Sequence, residues 1–123
     1  MGKARKRAAG KLKRSAAPST AAAPRAPKGG VVLIVALRAR PGREAELEKE
    51  LRALVAPTRA ERGCLAYDLY ASSGQPGLFL QREIWRSLAH HQKHWETPHM
   101  KRWNEGKRTL LASREASFWK QIA

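Results

Sequence analysis

The sequence has one cysteine, no acidic residue near its start and no apolar run long enough to cross a membrane. The lone Cys64 excludes an internal disulfide and a cysteine-based metal cluster, which favours a reducing, cytoplasmic location. The first thirty residues contain neither Asp nor Glu and lack the apolar centre of a secretory signal. We therefore expect neither secretion nor a membrane partner.

The basic residues are concentrated at the start of the chain. Residues 1–30 hold nine of the 25 lysines and arginines, while all ten acidic residues follow later. Met1 and Leu12 are the only large apolar side chains in this segment, so it cannot bury enough surface to offset the entropy of ordering. The sequence predicts a disordered basic tail over 1–30 and one folded domain over 31–123.

The folded part alternates between strand-like and helix-like patterns. A β-branched apolar run predicts a strand over 31–37, and Pro41-Gly42 ends it. Helical spacing of leucines predicts a helix over 43–62, which Gly63 ends. Four further elements are predicted downstream: strands over 65–70 and 78–85, a helix over 88–94 capped by Ser87, a helix from Thr97-Pro98 to about 112, and a strand over 116–122.

This order predicts an α+β ferredoxin-like fold, βαββαβ, with an antiparallel sheet and helices on one face. The first and third strands should occupy the middle of the sheet. Residues 31–37 are apolar on both strand faces, yet the helices cover only one. We expect the sheet of a second subunit to cover the other face.

The third strand carries polar residues where a central strand has little use for them. Gln81, Glu83 and Trp85 alternate in step with Phe79 and share one face. Buried polar groups need partners or a wet cavity. Glu83 is therefore either a carboxylate in a pocket wall or an internal ion-pair partner that serves packing alone.

Four histidines fall within ten residues, at His90, His91, His94 and His99. His90 and His94 share a helix face at a spacing that suits a metal ion. His91 nevertheless stands where a zinc hydrolase has Glu, and no Asp or Glu of this helix offers a third ligand. The sequence predicts no metal, and we expect His90 and His91 to be solvated.

Four motifs resemble the antibiotic biosynthesis monooxygenase family, which includes quinol monooxygenases and belongs to the dimeric α/β-barrel superfamily. They are Pro41-Gly42-Arg43-Glu44, Glu61-Arg62-Gly63-Cys64-Leu65-Ala66-Tyr67, Glu83-Ile84-Trp85 and His94-Trp95-Glu96-Thr97-Pro98-His99. The resemblance implies a homodimer whose two sheets face each other, with a pocket between sheet and helices in each subunit. Some members oxidise phenols or quinols with O2 and no cofactor; others have no known activity.

The resemblance makes His94 and His99 the candidate bases, with Glu83 as a third catalytic residue. An imidazole of ordinary pKa can accept a phenol proton at neutral pH, and the resulting anion can pass an electron to O2 without a cofactor. Glu83 or a backbone carbonyl would orient the His94 ring. An aromatic cage would bind the substrate, formed by Tyr67, Trp85, Trp103 and Phe118. Each of these aromatic residues can equally be ordinary core.

The function expected first is a cofactor-independent monooxygenase that oxidises a quinol or polycyclic phenol with O2. The alternative is a non-catalytic dimeric module of the same fold that binds a small ligand or serves a stress response. A third hypothesis gives the basic tail the main role, as a segment that contacts nucleic acid while the domain serves as a dimerisation platform. Its cations favour phosphate, but it has no aromatic residue for base stacking, so contact with nucleic acid would ignore sequence.

Overall fold

The computed structural model describes residues 25–123. Most of the predicted basic tail falls on residues 1–24, which lie outside the described residues. None of the helices in the described part of the chain combines the length and the apolar character needed to cross a bilayer.

The described residues fold as an antiparallel four-stranded sheet with helices on one face. The elements are β1 (Val31–Ala39), α1 (Glu44–Arg59), β2 (Cys64–Ala71), β3 (Leu78–Trp85), α2 (Leu88–His94), α3 (Pro98–Arg102), a π-helical turn (Trp103–Lys107), a 3-10 turn (Arg108–Leu110) and β4 (Leu111–Trp119). The sheet order is β2-β3-β1-β4, with the first and third strands central as predicted. The ferredoxin-like fold is confirmed; within one chain the sheet is not closed into a barrel.

The core lies between the sheet and the helices. Along β1, Leu33, Val35 and Leu37 are buried, and α1 covers them with Leu47, Leu51, Leu54 and Thr58 at helical spacing. Glu44 and Glu46 in the first turn and Arg59 in the last match the helix dipole. Helix α1 stays within its predicted bounds.

The turn between α1 and β2 requires glycine at position 63. Gly63 has a φ of 86°, a left-handed conformation that other residues adopt only with strain. A Cβ atom at this position would also overlap the ring of His90 on α2. Gly63 therefore allows α2 to pack closely onto the turn that carries Glu61.

The predicted last helix and last strand are wrong in their bounds. The α-helix stops at Arg102, continues as π and 3-10 turns, and β4 begins at Leu111 rather than at 116. The reason is long-range pairing, because β4 runs alongside β1 from Val32–Trp119 to Ala39–Leu111. Gly106, a poor helix former, lies in the π-helical turn that replaces the predicted helix.

The second face of the sheet is open in a single chain. Val32, Ile34 and Ala36 of β1 are half-buried there. Their neighbours on this face include two exposed aromatic side chains, Tyr70 at 49% and Trp119 at 60% exposure. The predicted homodimer, which would cover this face, stays a prediction.

Candidate active site

The inner face of β2 and β3 forms a wall of paired polar and aromatic side chains. Gln81, Glu83 and Trp85 are buried on one face, as their alternation predicts. The Gln81 amide donates to the Tyr67 hydroxyl at 2.8 Å, and the Trp85 indole N–H donates to Glu83 Oε1 at 2.9 Å. These bonds satisfy the buried groups without making the wall apolar.

Helix α2 delivers His94 to this wall. The Ser87 hydroxyl caps the helix by accepting the His90 backbone N–H at 3.2 Å, as predicted. At the other end of the helix His94 is 1% exposed, and its ring centroid lies 5.0 Å from that of Trp85. The Thr97 hydroxyl donates to the His94 carbonyl at 2.7 Å and ties α2 to the start of α3.

Glu61 joins the two histidines that the resemblance singled out. Its Oε2 atom lies 2.6 Å from His94 Nδ1 and 2.7 Å from His99 Nε2, so one carboxylate oxygen accepts from both rings. The prediction that Glu83 or a backbone carbonyl orients His94 is wrong. Glu61 stood in a recognised motif, but no local pattern indicates that its side chain reaches helices more than thirty residues later.

Burial sets the protonation of the polar groups in this region. It lowers the pKa of His94, although the hydrogen bond and charge of Glu61 oppose the shift. It raises the pKa of the Glu83 carboxyl, against the opposing influence of Trp85 and Arg114. The pKa of the Tyr67 hydroxyl is raised by burial and then by the nearby Glu83 carboxylate. His94 is thus held as a neutral imidazole near pH 7, and Tyr67 as a neutral phenol.

A small cavity lies between this wall and the helices. Only about 10 Å³ of it is open to the centre of a water molecule, which is room for about one water. Its lining comprises Leu37, Leu51, Leu54, Tyr67, Gln81, Glu83, His94, Trp95, Met100, Trp103 and Arg114. The Arg114 guanidinium carbon lies 5.2 Å from the centroid of the Trp95 ring, a cation–π distance.

Sequence reasoning missed both Trp95 and Arg114. Trp95 lies in the short break between α2 and α3. Arg114 shares the inward face of β4 with Ala116 and Phe118, but the predicted strand began at 116 and left it out. A strand predicted to begin before residue 114 would have placed Arg114 on the inward face together with Phe118, because alternate residues of a strand share a face.

The structure brings together four of the seven predicted site residues around the cavity, namely Tyr67, Glu83, His94 and Trp103. Trp85 is fully buried beside His94, and His99 lies behind Glu61; neither lines the cavity. The predicted place of Phe118 in the cage is wrong for a single chain. Phe118 is 59% exposed at the end of the edge strand, and its ring contacts His91 instead.

The expectation that His90 and His91 are solvated is also wrong. His91 lies between the rings of Trp85 and Phe118, and burial lowers its pKa to about 4. His90 is half-buried next to Gly63, and its Nδ1 atom lies 2.7 Å from the Ser87 hydroxyl. Cys64 is half-buried, and burial raises the pKa of its thiol to about 11, so it is no thiolate nucleophile.

These features define an α+β ferredoxin-like domain with a histidine–carboxylate cluster beneath its helices. Over residues 30–106 the chain matches the family model described as antibiotic biosynthesis monooxygenase. The chain belongs to this family. The matched segment contains Glu61, His94 and His99 and ends before Arg114.

Individual relatives agree with this assignment. The solved structure of PA3566 from Pseudomonas aeruginosa is 40% identical with a TM-score of 0.74, covering 77% of this chain and 96% of that chain. The structure of Rv0793 from Mycobacterium tuberculosis is 29% identical with a TM-score of 0.70, covering 76% and 96%. Rv0793, provisionally named a monooxygenase, is 39% identical in sequence over 69 residues, 56% of this chain and 67% of that protein.

A further curated relative is the uncharacterised protein sll1783 of Synechocystis. It is 28% identical over 82 residues, which are 67% of this chain and 56% of that protein. The chain thus spans little more than half the length of that relative.

Proposed function

We propose that this protein oxidises a quinol or polycyclic phenol with O2 and without a cofactor, and that His94 is the general base. The observation that carries the proposal is the 2.6 Å hydrogen bond between His94 Nδ1 and Glu61 in a buried site. It places the ring proton on Nδ1 and leaves Nε2 as the acceptor. Nε2 has no hydrogen-bond partner within the described residues, and His94 lines the cavity.

The chemistry begins with proton transfer from the substrate to His94 Nε2. The substrate O–H or activated C–H bond breaks, an N–H bond forms, and the Glu61 carboxylate stabilises the imidazolium. The substrate anion then gives one electron to O2, and the resulting radicals combine in a C–O bond. Loss of water from this peroxide, with the proton returned by His94, leaves one oxygen atom in the product and one in water.

Arg114 supplies the positive charge that these reaction steps need. Its guanidinium forms no ion pair or side-chain hydrogen bond within the described residues and faces the cavity together with Glu83 and Tyr67. A cation here favours the substrate anion and the superoxide formed from O2. The Arg114 charge also acts on Glu83, where it opposes the rise in the carboxyl pKa that burial causes.

Substrate entry requires the cavity to widen, because its present volume accepts about one water molecule. Among the wall residues, Trp95 lies in the break between α2 and α3, and Arg114 lies on the edge strand β4. We propose that these two side chains move apart when an aromatic substrate binds. Family membership and the monooxygenase name given to Rv0793 support the reaction class.

The second candidate is a dimeric module of the same fold that binds a small ligand without catalysis; its ligand would contact the same lining residues. Oxygen uptake across a panel of quinols and anthrones separates the two functions. We expect at least one substrate to give enzyme-dependent uptake at neutral pH. Tight binding of such compounds without oxygen uptake would support the binding module and contradict the oxidation.

Two partners belong to this proposal. A second copy of the chain would cover the apolar sheet face, and nucleic acid would bind the basic segment 1–30 through phosphate contacts. If the segment binds DNA, affinity falls steeply with salt and disappears when residues 1–30 are removed. Equal DNA binding by the shortened chain would assign that role to the domain.

A further inference from the structure

We propose that Glu61, His94 and His99 form a binding site for one divalent transition-metal ion of the zinc class. The inference does not depend on the proposed oxidation. His94 ends α2, His99 lies in the first turn of α3, and Glu61 lies in the turn before β2. The structure brings these three positions together although the sequence offered no third ligand within the helix.

The geometry of the donor atoms supports the site. One ligand atom from each of the three residues lies within 4.8 Å of the others. No other trio of His, Cys, Asp or Glu side chains converges in this way in residues 25–123. Zinc bonds of about 2.0–2.1 Å in tetrahedral geometry separate ligands by roughly 3.3 Å. The two Glu61 hydrogen bonds, at 2.6 and 2.7 Å, would therefore lengthen by well under 1 Å.

The chemistry of the donors also suits such an ion. Two imidazoles and one carboxylate are a ligand set of catalytic zinc sites that leaves a coordination position open. Burial disfavours the charged form of His94, so its ring is available as a neutral ligand. Binding also needs a tautomer change, in which the proton on His94 Nδ1 moves to Nε2 and that on His99 Nε2 moves to Nδ1.

The Glu61 side of this cluster borders solvent. Glu61 forms part of an open groove of about 470 Å³, together with Arg62, Ala89, His90, Lys93 and Thr97. Arg62 and Lys93 are cations and lower the affinity for a divalent ion. The three ligands themselves must therefore hold the cation, so removal of either Glu61 or His99 should weaken metal binding strongly.

The helix pair His90 and His94 is not the site, despite its spacing. His90 Nδ1 contacts the Ser87 hydroxyl at 2.7 Å, whereas His94 Nδ1 contacts Glu61. This difference makes His90 a matched control on the same helix. Metal binding would also affect the proposed reaction. An ion on His94 Nδ1 keeps the proton on Nε2, so His94 could no longer act as the base.

The test titrates Co²⁺ and Zn²⁺ into the metal-free full chain, followed by visible absorption and by calorimetry. We expect one ion per chain and ligand-field bands of a site with nitrogen and oxygen ligands. Glu61→Gln and His99→Ala should each weaken binding by about tenfold or more, and His90→Gln should bind as the unmodified protein does. Absence of binding, or equal binding by all variants, would overturn the proposal.

A second measurement avoids variants that fail to fold. X-ray absorption of the zinc-loaded, unmodified chain should show two imidazoles and one carboxylate oxygen in the first coordination shell. A shell without imidazole would contradict the site. Neither readout involves turnover, so a failed oxidation assay leaves the metal test intact; if oxidation is found, Zn²⁺ should inhibit it in proportion to occupancy.

Discussion

At the scale of single residues, a shared carboxylate decides what His94 can do. Glu61 accepts a hydrogen bond from Nδ1 of His94, and Nε2 is therefore left as a proton acceptor. Burial and Glu61 act on the His94 pKa in opposite directions, with burial the stronger. The ring is therefore neutral near pH 7 and becomes charged only at a pH below its ordinary value of about 6.5.

Glu61→Gln tests this balance. The amide oxygen can still accept from Nδ1, but the negative charge that stabilises the imidazolium is lost. We expect oxygen uptake with a quinol substrate to fall by roughly a hundredfold. The acid limb of kcat/KM against pH should move to lower pH, because Glu61 raises the His94 pKa in the native protein.

The matched control is Glu46→Gln on the exposed side of α1, where Glu46 pairs only with Arg43 among residues 25–123. This variant should keep the native rate and pH profile. An unchanged acid limb in Glu61→Gln would show that His94 does not set it.

The site residues differ in how far the sequence could predict them. Alternation along β3 placed Glu83 correctly on the inner face. The family-like motif pointed to His94, which lines the cavity and whose role as a base stays a prediction. Arg114 escaped because the predicted strand began at 116, and Glu61 escaped because its role arises from contacts between segments far apart in the chain. No local pattern reports such contacts.

At the scale of elements, α2 carries the site residue His94 and also His91, whose protonation affects the stability of the fold. Its residue His91 packs between aromatic rings with a pKa of about 4, against the ordinary value of 6.5. Below pH 6.5 the unfolded chain therefore binds a proton at His91 that the folded chain does not. The stability present above pH 6.5 is lost progressively as the pH falls towards 4.

Urea unfolding at pH 7 and pH 5 measures this linkage. We expect the unmodified protein to lose stability between the two values and His91→Gln to lose distinctly less. The variant removes the titrating ring, whereas the contribution of His94 remains. Equal pH dependence in the two proteins would contradict the burial of a neutral His91.

The turn that carries Glu61 gives a second prediction at this scale. Gly63→Ala should lower the free energy of unfolding by about 1–3 kcal/mol, because its left-handed backbone is strained and its Cβ meets His90. Gly42→Ala is the control, since Gly42 has a φ of 83° and nothing near its Cβ position. Thermal unfolding should show the larger loss at Gly63; equal losses would mean that His90 does not pack there.

The elements themselves were largely predictable. Strand β3 and helix α2 have the predicted bounds, because alternation and capping are local signals. The segment between α3 and β4 was not predictable locally. Its helix-like start gives way to β4 because a nine-residue β1 offers backbone partners as far as Leu111.

At the scale of the whole molecule, the open sheet face is the feature that a single chain leaves unexplained. Tyr70, Leu80 and Trp119 are exposed among the half-buried apolar residues of β1. Burial of such a patch on a second subunit is favourable, and a two-fold axis would pair the face with itself. We expect light scattering to report about twice the chain mass at micromolar concentration.

A charge at this face should separate the subunits. Leu80 lies at the centre of the patch, so Leu80→Glu should give a monomer. Leu88→Glu, at an exposed position of α2 on the helical side, should leave the dimer intact. A native protein that is monomeric throughout, or a Leu80→Glu variant that stays dimeric, would show that the sheet face is not the interface.

The central claim is that His94 takes a proton from the substrate, and oxygen uptake by His94→Ala tests it most directly. With a quinol or anthrone that the native protein oxidises, the account predicts a fall in turnover of roughly a hundredfold to ten-thousandfold. His90→Gln, on the same helix but bonded to Ser87, should retain nearly the full rate. A folded His94→Ala variant with undiminished oxygen uptake would contradict the account.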